Sequence, residues 1–196
     1  MKLRNLCLSA IFLTGSSLSA SVITYFANLN GPSESPTNAS PGIGFALITV
    51  DDIVNTLRVQ VSFSGLLGTT TASHIHSPTP SPFTGTAGVA TTTPTFANFP
   101  LGVTSGTYDN TLNLTLASSY NPAFVTANGG TPASAEAALL AGIAAGEAYL
   151  NIHSTTFPGG EIRGFLILTP EPATLGLVGL ALAGLLAFGR LRRLSA

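Results

Sequence analysis

Leu57-Arg58-Val59-Gln60-Val61-Ser62-Phe63 alternates apolar and polar side chains without a slip. Successive side chains of an extended chain point to opposite faces, so strict alternation marks a strand with one face buried and one face wet. Leu112-Asn113-Leu114-Thr115-Leu116 does the same. Working outward, short apolar segments of similar length recur between Gly, Pro, Asn and Ser, at residues 22–28, 44–50, 56–63, 72–76, 87–90, 112–116, 149–153 and 162–168. That spacing predicts a mostly β domain, an antiparallel β-sandwich or barrel. The Pro/Thr-rich stretches 77–85 and 92–102 read as irregular surface connections.

One segment breaks the pattern. Residues 133–145 are rich in alanine, follow Thr131-Pro132 and end at Gly146. Thr131 suits an N-cap, Pro132 the first helical position and Gly146 a left-handed C-terminal turn. One short crossover helix before the last two strands is expected.

Both ends differ in kind from this domain. Lys2 and Arg4 precede the apolar run 6–13 and a small-residue zone at 15–21. Those are the parts of a secretory signal, so residues 1–20 are read as a signal peptide, cut by signal peptidase between Ser19 and Ser21. The only cysteine, Cys7, lies within it. The mature chain then has neither disulfide nor thiolate ligand.

At the other end, Pro170-Glu171-Pro172 leads into the uncharged stretch 173–189 and the basic stop Arg190, Arg192, Arg193. A helix rising about 1.5 Å per residue would cover roughly 25 Å over that stretch. A bilayer core of about 30 Å makes it a short transmembrane helix. The arginines place its end in the cytoplasm and the domain outside. Removing both ends leaves residues 21–169 with Arg58 and Arg163 against seven carboxylates, a balance of −5. Such a domain is a poor partner for nucleic acid.

All three histidines fall in two motifs, Ser73-His74-Ile75-His76 and Asn151-Ile152-His153. On a strand, residues two apart share a face with Cα atoms roughly 6.7 Å apart. His74 and His76 can therefore aim at one point, and His153 on a neighbouring strand would complete a three-nitrogen site suited to zinc or copper. The competing reading is structural, with the histidines hydrogen-bonding loops to the sheet. Arg163, one of two cations in the mature domain, calls for a carboxylate, and Glu34 and Glu161 are the candidates for that ion pair. The chain has no Gly-x-Ser-x-Gly elbow and its carboxylates are scattered, so no catalytic residue is assigned and the domain is read as non-enzymatic.

These residues carry resemblances. Phe26 to Gly31 with Glu34 and Pro36, Phe63-Ser64-Gly65-Leu66, Ser73 to His76, Gly146 to His153 and Phe157 to Gly164 resemble, in order, a CHRD (chordin-type) module. The tail from Pro170 to Arg193 resembles the PEP-CTERM sorting signal. The first implies an extracellular β-rich module. The second implies processing by an exosortase-type membrane protease, transient anchoring by the C-terminal span, and a final place at the cell surface or outside the cell. Exopolysaccharide and biofilm matrix proteins are the partners that go with such a tail. The resulting expectation is a non-enzymatic cell-surface or extracellular-matrix module without a cofactor, with a histidine-based zinc or copper protein or metalloenzyme as the alternative.

Overall fold

The computed structural model describes residues 22–170. The expected signal peptide, the 173–189 span and the tail residues Glu171, Pro172, Arg190, Arg192 and Arg193 lie outside them. No helix among the described residues is long and apolar enough to cross a membrane.

Eight strands form the domain: β1 Val22–Asn30, β2 Ile43–Asp51, β3 Thr56–Ser64, β4 Thr70–His76, β5 Gly106–Asn113, β6 Tyr149–Ser154, β7 Ile162–Phe165 and β8 Ile167–Leu168. Seven run antiparallel in the order β4-β6-β7-β1-β2-β3-β5, and β8 also pairs with β1. The expected mostly β, antiparallel fold is found, and in place of a sandwich or barrel the sheet is a single one curled into a half-barrel. Its outer strands β4 and β5 do not pair with each other.

The alternation that marked β3 continues across the sheet. Leu57, Val59, Val61 and Phe63 are buried beside Ala46, Ile48 and Val50 of β2 and Tyr25, Ala27 and Leu29 of β1. The same core takes Ile75, Leu150, Ile152 and Ile162 from the other half of the sheet. With no second sheet to face among the described residues, loops and helices supply the remaining cover. Phe96 and Phe99, in a stretch expected to lie on the surface, are buried against Tyr108. They belong to the core because the open half-barrel leaves apolar strand residues with nothing else to pack on.

Two helices stand where one was expected, α1 Pro122–Ala127 and α2 Pro132–Ala144. In α2, Thr131 accepts from the Ser134 amide and Ser134 accepts from the Thr131 amide, a reciprocal cap. Gly146 follows at φ +73°. The shorter α1 begins at an Asn121 cap with Pro122 in its first turn, but six residues are too few for a helical period to be read.

Residues 87–90 contribute only a bridge from Val89 to His76. The strand expected at 112–116 ends at Asn113, because the Asn113 side chain accepts from the Thr115 amide at 3.0 Å and hydroxyl at 2.7 Å and turns the chain. At the far end the Thr169 amide donates to the Thr24 carbonyl at 2.8 Å, so the described chain begins and ends side by side on β1.

Candidate metal centre

The half of the sheet made by β4, β6 and β7 is buried on both faces. On the face away from the core, the antiparallel register sets His76 opposite Tyr149, His74 opposite Asn151 and Ala72 opposite His153. One strand further, Asn151 faces Arg163 and Tyr149 faces Phe165. The period-2 reading of each strand therefore places His74, His76, Tyr149, Asn151, His153 and Arg163 in one polar layer. The segment 31–40 and the loop 155–160 lie against it.

One candidate ligand atom from each of His74, His76 and His153 falls within 4.8 Å of the other two. His76 Nδ1 lies 2.8 Å from the Ala87 carbonyl and His153 Nδ1 lies 2.8 Å from the Pro158 carbonyl. A carbonyl can only accept, so both Nδ1 atoms carry hydrogen. In the neutral rings Nε2 then keeps its lone pair. His153 Nε2 is buried and has no hydrogen-bond partner among the described residues. His76 Nε2 sits 3.3 Å from His74 Nδ1, whose hydrogen it accepts, leaving Nε2 of His74 with its lone pair.

The imidazoles are held neutral. Burial drives His74 down to about 3, with smaller pushes from His153 and His76 and opposition from the Pro94 backbone and Asn151. Burial also lowers His76 against the Ala87 carbonyl, and His153 against the Pro158 carbonyl. Metal binding needs neutral imidazole, and the downward shift of all three favours that form.

Glu34 and Glu161 do different jobs. Arg163 Nε donates to the Ser33 carbonyl and lies 3.8 Å from Glu34 Oε2, and Nη1 donates to the Gly85 carbonyl at 3.2 Å. The guanidinium stacks over the Tyr149 ring at 4.6 Å, and Tyr149 in turn stacks on His76 at 4.7 Å with the planes 5° apart. Burial pushes Glu34 up to about 7 despite the Arg163 charge, the Ser35 amide and Asn151. Glu161, the other expected partner of Arg163, is turned elsewhere. It accepts from Ser40 Oγ at 2.6 Å and from the Leu67 and Gly68 amides at 2.5 and 3.2 Å. Burial pulls the Glu161 carboxyl upward, but hydrogen bonds from Ser154, Ser40 and the two amides together bring it below its ordinary value. The second arginine, Arg58, pairs with Asp109 at the surface.

These shifts predict how the metal-free protein responds to acid. Unfolded histidines take up protons near 6.5 while the folded ones resist, so the unfolded state gains protons first and stability falls as pH drops from 6.5 toward about 3. Glu34 acts oppositely: it favours folding below its ordinary 4.5, and that contribution is lost as pH rises through about 7. Between pH 7 and pH 5 the His74 and Glu34 contributions oppose each other with similar size, and the lowered His76 and His153 add to the His74 side. Urea denaturation of a Glu34→Gln chain with a chelator present, which removes the opposing carboxyl, is expected to show a fall in stability from pH 7 to pH 5, about 2 kcal/mol of it from His74. Equal stability of that variant at the two values would mean that the imidazoles are not held neutral.

Asn151 and Tyr149 were missed as site members in the sequence reading, although their spacing from His153 on one strand was the signal. Comparison with known proteins accounts for the order of these motifs. The CHRD domain family matches residues 25–166, so the chain belongs to that family. The PEP-CTERM protein-sorting motif matches residues 168–193, which implies export, sorting to the cell surface and C-terminal processing by an exosortase. No curated protein and no solved structure matches the chain.

Proposed function

We propose that this CHRD protein is a non-enzymatic surface or matrix module whose buried polar layer holds one zinc or copper ion through His74, His76 and His153. The observation that carries the metal reading is the convergence of three neutral imidazoles, with His153 Nε2 buried and unpartnered. A purely structural histidine would use that nitrogen in a hydrogen bond, because a buried polar atom left unpaired costs about 1–3 kcal/mol. The carbonyls of Ala87 and Pro158 do what outer partners of ligating histidines do: they fix the tautomer and aim Nε2 inward.

The surface reading rests on the sorting tail and on a domain with few charges. After processing, the domain would stay with exopolysaccharide or matrix proteins. Fractionation of the host is expected to find it in the surface or matrix fraction. Recovery only from the cytoplasm would overturn that part.

The metal reading is tested on the full chain purified in detergent. Near-stoichiometric zinc or copper is expected, absent from a folded His74→Ala/His76→Ala/His153→Ala variant. A parent that stays metal-free after incubation with either ion would return the histidines to a structural role.

A further inference from the structure

Three nitrogens leave one position of a tetrahedral ion to be filled. Structural zinc sites close it with a protein atom, whereas catalytic sites leave it to water. Asn151 stands at the place that decides between the two. It is 2% exposed, pairs directly with His74 across β4 and β6, and lies two residues before His153 on the same strand. Directly opposed side chains in an antiparallel pair have Cβ atoms about 4.5–5.5 Å apart, within reach of a shared ion.

Asn151 Nδ2 and Glu34 Oε1 both approach the point under Gly160 where an added Cβ would lie, at 2.9 and 2.5 Å. The amide nitrogen is thus on the Glu34 side, although no hydrogen bond joins it to Oε1, which is itself unpartnered among the described residues. Asn151 Oδ1 is buried and has no hydrogen-bond partner among the described residues. Two orphaned acceptors, this oxygen and His153 Nε2, thus occur on neighbouring same-face positions of one strand. A bound cation would satisfy both.

We propose that Asn151 Oδ1 is the fourth ligand of the metal held by His74, His76 and His153, closing it into an N3O site without an open position for substrate or water. This rests on the metal reading above and adds to it that the ion is structural.

The test uses the full chain loaded with cobalt(II) as a spectroscopic probe, and zinc for affinity. The parent is expected to give an intense four-coordinate visible spectrum that azide does not change. Asn151→Ala is expected to bind zinc roughly 10- to 100-fold more weakly and to give a cobalt spectrum that azide does shift. Asn151→Asp, which keeps the shape and adds a charge, is expected to bind zinc at least as tightly as the parent. A parent that binds neither ion overturns the metal reading and this inference with it. A parent that binds cobalt but responds to azide, or an Asn151→Asp chain that binds zinc more weakly, overturns the fourth ligand alone.

Discussion

Arg163→Ala is expected to destabilise the domain by about 3–5 kcal/mol, measured as a shift in urea midpoint at constant slope. The residue is 5% exposed and serves several partners at once. Its loss leaves the Ser33 and Gly85 carbonyls without their donor and removes the guanidinium from the face of Tyr149. It also opens a cavity the size of a long side chain. Glu34 would not remain as a bare buried charge. Its carboxyl already sits near 7 with Arg163 beside it, and without that cation it would stay protonated at neutral pH. The destabilisation therefore comes from lost donors, lost stacking and the cavity, and it should persist at pH 5.

Arg163→Lys separates these contributions. An ammonium keeps the charge but cannot present a planar fork to two carbonyls while lying flat on an aromatic ring. It is expected to recover less than half of the loss. Full recovery would mean that charge alone matters at this position. Because Tyr149 stacks on His76, the same variants should also weaken zinc binding.

How far the sequence could lead is clearest from three places. The first three strands were legible because one face of each is buried in the core and the other is wet, which writes the fold into the alternation. The start of β5 was not: of Gly106 to Asn113 only Tyr108 and Leu112 are buried apolar residues, too few to mark a period. For the site, His74 and His76 were placed on one face by spacing alone. Bringing His153 to them requires β4 to pair with β6 across a long stretch of chain, and no local pattern encodes that pairing. Glu161 and Arg163 show the converse failure. Glu161 was a candidate for the Arg163 ion pair, but Gly160 at φ +133° breaks the extended chain just before it. The carboxylate turns toward the Leu67–Gly68 turn and Ser40 instead.

Gly164→Ala is expected to be more damaging than any substitution on the exposed loops, with a loss of about 3 kcal/mol or more, or failure to fold. A Cβ built at Gly164 would lie 2.3 Å from the Asn28 carbonyl oxygen and 2.9 Å from its carbon. Those are backbone atoms of β1 and cannot swing aside as a side chain would. β7 is the seam of the sheet: it carries β6 and β4 on one side and meets β1 on the other. Pushing it from β1 strains the Asn30–Arg163 pairing and the single core that spans both halves. Gly159→Ala is the control, since nothing lies within 4 Å of its added Cβ, and it should change stability by less than about 0.5 kcal/mol. Thermal and urea denaturation of the two variants side by side decide the matter. If Gly164→Ala unfolds like Gly159→Ala, the seam tolerates separation and the two halves of the sheet are less tightly coupled than their shared core implies. If it behaves as expected, the metal layer on β4, β6 and β7 stays in place only while β7 lies close against β1.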